Sequence, residues 1–441
     1  MNRLLILAIT ILLLLQIILS LFIVSMKEEL DSLRLEVDGL KKELFFLRDT
    51  YISNLINQSI SSLVETMNKT FMDSTYIYPS FIVIQKLENY LLMNSKGDIL
   101  LESTSASKVI QKGIDQIVNG GLILIKPGVY ILDSPVYLKS KVAIVGEGYP
   151  ELVVSKNSDG LIIPENSAYI VIEGIKIRGS RESSTGALLR IRRHGFTIRI
   201  RNVELYNHYD GLVIEGGYPP SDFWGIIIEG VHIHDVNNVG LTINGYGNVL
   251  YVKETNIAYS GNICILLKDT GDGVMEFINV HCFNSGKYSV LAYNTDPTIP
   301  VQHKRFIACH LEGIDMRPQT SRFVNCINIA FLDVEIAGML GHGIEFINCR
   351  DVRYIGGRII NNGIGSPGTY AGIYIKDSSS IIVSNVFIYD TNPPGSKTQG
   401  YGILEDGYSN YNIFVNNVLK GNAVEGIITT GTHTIAQGNI V

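Results

Sequence analysis

Two glutamates carry the clearest chemical suggestion in this chain. Each follows an inward-type aliphatic residue, in Leu311-Glu312 and Val334-Glu335, and the two pairs are 23 residues apart. If that separation is one turn of a stacked repeat, the carboxylates fall about 5 Å from each other, near the spacing of a retaining glycosidase pair. One would protonate the leaving oxygen and the other would act as nucleophile. Asp333, Asp315 and His310 lie close by in sequence. A second constellation is His232-Ile233-His234-Asp235, where alternate histidines share one face of a strand, although no third metal ligand is evident from the sequence. In the same outward series comes His281, a further candidate for substrate contact. Trp224, the only tryptophan, follows Tyr218 to Phe223 in what reads as an inter-turn loop, a place from which an aromatic ring can stack on a sugar. Arg178, Arg181, Arg190, Arg192, Arg193, Arg199 and Arg201 form the one concentrated basic stretch and would grip a sulfated or uronic glycan bidentately. No cofactor is expected. Calcium is the one cation with candidate ligands, Asp269 and Asp272, and a Gly-rich turn explains those two better.

These residues need a scaffold that repeats. Gly, then Ile or Leu, any residue, and Ile or Phe recur at Gly160, Gly174, Gly211, Gly225, Gly240, Gly343 and Gly372. An Asn followed by an aliphatic runs in step at Asn202, Asn256, Asn279, Asn385, Asn417 and Asn439, and is read as a structural ladder at the turns. Apolar positions alternate with period two, and Gly, Asn, Asp and Ser punctuate the short strands. Helical repeats would need amphipathic segments of about ten residues, which are missing. The pattern predicts an all-β parallel β-helix of about 10–11 coils over 105–441, with turns of 22 to 32 residues. The outward series after each inward anchor is expected to run Glu204, His232, Ala258, His281, Glu312, Glu335, Ile360, Phe387 and Leu419.

Ahead of the solenoid the chain changes character. Leu4 to Val24 is apolar but for Thr10, Gln16 and Ser20, and as a helix it would rise about 31 Å, enough to cross a bilayer. No Ala-x-Ala cleavage pattern follows it, so 1–26 is expected to be an uncleaved transmembrane anchor with the rest of the chain outside. Leu30, Leu33, Val37, Leu40, Leu44, Leu47 and Tyr51 alternate spacings of three and four, which predicts a coiled-coil stalk over 27–71, with 72–104 a linker. A trimer is expected. Sequons at Asn57 and Asn68 agree with an exterior location. A net charge of −6 argues against a nucleic-acid partner. The five cysteines form no metal-type pair, and Cys326 and Cys349 are placed to stack, as buried thiols or as a disulfide.

Lys108 to Asp115 reads as a short helix, followed by Gly120-Gly121, Pro127-Gly128-Val129-Tyr130 and Gly146-Glu147-Gly148. This series resembles the opening of the pectate-lyase-like, right-handed β-helix superfamily, tailspikes included. The resemblance implies a capping helix and carbohydrate bound along the solenoid. It leaves the activity open, because lyases, hydrolases, epimerases and adhesins share the fold. Asn294-Thr295-Asp296, Gly341-His342-Gly343 and Lys376 are also similar in order to motifs of polygalacturonase-type hydrolases, which would make Asp296 and His342 catalytic. The paired aspartates of that family are missing near Gln319, and Tyr374 stands where its Arg should be. The combined expectation is a membrane-rooted cell-surface or virion spike, viral or archaeal, that recognises host polysaccharide or glycoprotein glycan, with cleavage as a glycoside hydrolase or polysaccharide lyase left open. The alternative is a non-enzymatic adhesin making protein contacts.

Overall fold

The computed structural model describes residues 79–217, 223–271, 273–296, 298–313 and 318–441. The expected anchor and stalk lie outside them. Among the described residues no helix is long and apolar enough to cross a membrane.

The chain winds as a right-handed parallel β-helix with three sheets, each turn adding one strand to each. Sheet C has 12 strands, sheet B 11 and sheet A 16, so the solenoid is slightly longer than the sequence count of 10–11. A representative turn runs Asp210–Glu215 in sheet C, Phe223–Glu229 in sheet A, His232–Val236 in sheet B and Val239–Asn244 back in sheet C. The start of the stretch expected as a linker is only partly described; from Phe81 it forms three antiparallel strands, Phe81–Lys86, Asn89–Asn94 and Ile99–Ser103, which extend sheet A. The predicted capping helix, α1, spans Ala106–Gln116. Ser105 caps it by accepting from Lys108 N–H at 3.2 Å, and Val109, Ile110 and Ile114 are buried.

Period-two alternation does the rest. Most alternate strand residues are Ile, Leu, Val or Phe turned into one continuous core. Phe277, Phe306, Phe331 and Tyr354 occupy one inward column of sheet A, and their rings stack at 4.8, 5.1 and 5.4 Å. Sheets A and B are joined by a two-residue turn. Its first residue is left-handed, as at Asn202 (φ 50°), Asn279 (φ 52°), Asp333 (φ 57°) and Asn385 (φ 57°), which is why Asn, Asp and Gly recur there. Its second residue points inward, as Val203, Val231, Val280 and Val334 do. The Asn series is therefore a turn signal over most of its length. It becomes a side-chain ladder only near the C-terminus, where Asn417 Nδ2 donates to Asn439 Oδ1 at 3.0 Å. Asn256 instead opens a sheet B strand. At Gly211 a Cβ would come within 2.5 Å of the Gly240 carbonyl oxygen on the next turn, so the close stacking of turns explains the glycine. All five cysteines are buried free thiols, Cys326 and Cys349 among them.

Candidate functional site

The outer face of sheet B gathers most of the polar residues singled out above. Its first outward column runs Lys176, Glu204, His232, Asn256, His281, His310, Glu335, Arg358 and Phe387 on successive strands. A second column runs Arg178, Tyr206, His234, Ala258, Phe283, Glu312 and Ala337. Glu312 and Glu335 thus differ from the expected arrangement. They occupy different columns, Glu335 facing His310 and Glu312 facing Ala337. The reason is a slip of two residues. Val334 is the inward residue of the turn, whereas Leu311 is the inward residue of the strand itself, and period-two alternation gives both the same parity. The same slip affects Ala258, because Thr255 holds the turn position that an aliphatic holds elsewhere.

The two glutamates still meet, through His310. Its Nε2 lies 3.3 Å from Glu312 Oε2 and 3.5 Å from Glu335 Oε1, which bounds the separation of those oxygens at 6.8 Å. That nitrogen is shielded from solvent and makes a well-formed hydrogen bond to neither. Glu335 Oε2 is held by Arg358 at 2.7 Å. Phe283 and His281 flank His310 edge-on, at 5.9 and 5.8 Å. Burial, then the neighbouring His310, lowers the His281 pKa. Asp333 sits in the left-handed turn just before Glu335, a place its backbone conformation accounts for.

Three strands toward the N-terminus lies a second cluster on the same face. Glu204 Oε2 pairs with Lys176 at 2.9 Å, and its Oε1 faces His234 Nε2 at 3.1 Å. His234 Nδ1 faces Asp235 at 2.8 Å, and Tyr206 stacks on the ring at 5.1 Å. Burial alone would raise the Glu204 carboxyl, but the Lys176 and His234 contacts outweigh it and hold the pKa below its ordinary value. Burial and a hydrogen bond to Glu151 push the Tyr206 hydroxyl up to about 12. Burial, then the adjacent His234, lowers the His232 pKa.

Sheet C carries a third, more sheltered group that the sequence reading found only in part. Arg322 Nε donates to the buried Glu345 carboxylate at 2.5 Å, and its Nη1 to Tyr288 Oη at 3.3 Å. His342 stacks on Tyr374 at 4.3 Å and meets Tyr370 edge-on at 5.0 Å. Burial, reinforced by Arg322, lowers its pKa to about 4. Its Nδ1 accepts from the Ala371 N–H at 2.9 Å, so the neutral ring carries its proton on Nε2. This tautomer offers a donor and no free basic nitrogen, an arrangement unlike a general base. Arg322, Glu345 and Tyr374 were in reach of the sequence, as successive members of sheet C's own outward column.

The remaining candidates lie elsewhere. Asp296 is in an exposed loop, where it caps Thr298 at 2.9 and 2.7 Å and has no contact with His342. Trp224 is a half-buried strand residue of sheet A rather than a loop residue, because Phe223 before it turns into the core. Arg192 and Arg193 are exposed in the turn between sheets C and A. The basic stretch is no patch: Arg178, Arg190 and Arg201 sit on sheets B, C and A, each beside carboxylates, namely Glu151, Asp159 with Glu215, and Glu173 with Glu229. Asp269 spends its carboxylate on Thr295, and Asp272 lies outside the described residues.

No protein-family model and no curated protein matches the chain. Solved structures do. The A-module of the Azotobacter vinelandii mannuronan C-5 epimerase AlgE6 superposes with a TM-score of 0.64 at 12% identity, over 76% of this chain and 95% of that one. The AlgE4 A-module follows at 0.53 and 13% identity, over 76% and 96%. Tailspike protein 2 of an Escherichia coli O157:H7 bacteriophage matches at 0.48 and 15% identity, over 76% and 45%. At these identities the two epimerase modules establish the fold alone, the parallel β-helix that the resemblance implied.

Proposed function

We propose that the outer face of sheet B binds an extended glycan along the solenoid axis and that Glu312 and Glu335 hydrolyse it. The observation that carries this reading is the approach of both carboxylates to one imidazole nitrogen, within 6.8 Å of each other. A retaining pair needs about 5–5.5 Å and an inverting pair about 6.5–9.5 Å, so the bound favours retention. Glu312 would protonate the leaving glycosidic oxygen. Glu335, oriented by Arg358, would attack the anomeric carbon, after which water releases the sugar with Glu312 as base. Phe283 and His281 offer ring faces beside the reacting bond. The epimerases named above act, by their names, on mannuronan, which supports a polysaccharide as the ligand class.

We further propose that Leu4 to Val24 roots the protein in a cellular or virion membrane and that the heptads of 27–71 assemble it as a homotrimeric spike. Incubating the full chain with envelope polysaccharides and glycoproteins, beside Glu312→Gln and Glu335→Gln, tests the catalytic reading. New reducing ends from the parent alone support it. Binding without new ends leaves a recognition spike, and neither result leaves a surface protein that contacts other proteins.

A further inference from the structure

The Glu204 cluster is built for more than surface pairing. Glu204, His232 and His234 each offer one ligand atom, and the three atoms all lie within 4.8 Å of one another. Among the described residues no other group of three potential ligands does so. Sheet geometry accounts for the convergence. His232 and His234 alternate along one strand and so share its outer face, while Glu204 is the direct neighbour of His232 on the preceding strand. The third ligand lies 28 residues before His232, one full turn away, and precedes it in the outward series read from the sequence.

The surroundings orient each ligand atom. Asp235 holds His234 Nδ1 at 2.8 Å and thereby turns Nε2 toward Glu204, the outer carboxylate that ligating histidines regularly have. A neutral imidazole can donate to only one of the two carboxylates it faces, so the Nε2 contact to Glu204 is the one that a cation can replace. Lys176 occupies Glu204 Oε2 at 2.9 Å and leaves Oε1 for the site. His232 touches the His234 ring, at 4.5 Å between centroids, and forms no hydrogen bond among the described residues.

We infer that Glu204, His232 and His234 bind a divalent transition metal of the zinc class. Metal–ligand bonds of about 2.0–2.2 Å in tetrahedral geometry place ligand atoms about 3.3 Å apart. The His234–Glu204 edge is already 3.1 Å. The exposed His232 ring closes the remaining distance by rotating about its own side-chain bonds. Two imidazoles and one carboxylate favour zinc, cobalt or nickel over calcium or magnesium, which take oxygen ligands. Three protein ligands leave the fourth position open to solvent on the face proposed to carry glycan. The site stands independently of hydrolysis by Glu312 and Glu335.

The test is metal titration of the EDTA-dialysed full chain with Zn2+, and with Co2+ as a spectroscopic probe. One ion per chain is expected, with the intense visible absorption of tetrahedral cobalt. His232→Gln and Glu204→Gln should each weaken binding at least tenfold. Asp235→Asn should weaken it about 10–100-fold through the orientation of His234 alone. A His281→Gln, His310→Gln double variant should bind as the parent does. Far-ultraviolet circular dichroism confirms that each variant keeps its fold. The inference is overturned if the parent takes up no stoichiometric metal, or if a folded His232→Gln, His234→Gln double variant binds undiminished. Loss of uptake only in the His281, His310 variant overturns it as well.

Discussion

The outer faces of sheets B and C carry similar residue types and use them in opposite ways. On sheet B, carboxylates, imidazoles and basic side chains stand in open columns, and the groups nearest the proposed reaction keep about a quarter of their side chains exposed: Glu312 25%, Glu335 21% and His310 27%. On sheet C, Arg322 and Glu345 pair over a carboxylate that is only 7% exposed, and tyrosines wall in His342. The sheltered group holds perturbations as large as any on the open face, with His342 near 4 and the Tyr374 hydroxyl pushed up to about 12 by burial and Asp406. A perturbed pKa is often taken to mark an active site, yet burial and internal pairing generate it equally well. The sheet C group spends its guanidinium and carboxylate on one another. The sheet B face leaves its carboxylates and imidazoles partly open to solvent.

The largest expected effect separates the two faces by activity. Glu312→Gln or Glu335→Gln should lower the cleavage rate by about 10²–10⁴-fold. Both residues are partly exposed, so the urea midpoint should stay close to that of the parent. An equal loss from Glu345→Gln in a folded protein, with Glu312→Gln active, would move the reacting centre to sheet C.

Second in size is a pH effect centred on sheet C. His342 has a folded pKa of about 4 against 6.5 unfolded, so between those values the unfolded chain binds the proton and the folded chain does not. Its contribution is complete above pH 6.5 and is lost as pH falls toward 4, by about 3 kcal/mol in all. Urea unfolding across that window should therefore show the parent losing about that much more than His342→Gln, which cannot titrate. Parallel pH profiles for the two proteins would contradict the burial assigned to His342. His281, also lowered by burial but far less enclosed, should give a smaller difference in the same window.

These contrasts also show what the sequence could disclose. Repeat length, strand period and the capping helix are local patterns, and α1 and the parallel β-helix follow from them. Column membership depends on where each turn begins. At Thr255, Cys309 and Gly357 the inward turn residue is not a branched aliphatic, so the pattern skips to the strand centre two residues later. That slip assigns Glu312 and Glu335 to the right face and to the wrong neighbours, and it hides the place of His310 between them. Arg322 and Glu345 lie outside the column that follows the inward anchors, because sheet C has an outward column of its own. The run of arginines looked like a patch because neighbours in sequence here pass through three different sheets.

Ion pairs on the two faces offer a further stability contrast. Arg322→Met leaves the Glu345 carboxylate buried and without its guanidinium partner. Breaking a fully buried pair costs about 3–5 kcal/mol, and because Arg322 is 36% exposed a loss of about 2 kcal/mol is expected in urea.

Arg358→Met gives the smallest expected change in stability. Arg358 is 53% exposed and its contact with Glu335 is solvated, so its removal should shift stability by no more than about 0.5 kcal/mol. Its effect on cleavage should be larger. Arg358 holds one oxygen of Glu335 and leaves the other toward His310, so losing it frees the carboxylate to rotate away from the anomeric carbon. A fall of about tenfold in turnover, equal to about 1.4 kcal/mol in the transition state, is the expected size for a positioning contact of this kind. Arg358→Lys, which keeps the charge and one donor, should recover part of it. If both variants turn over as the parent does, Glu335 needs no orienting partner, and the pair on sheet B is as purely structural as the one on sheet C.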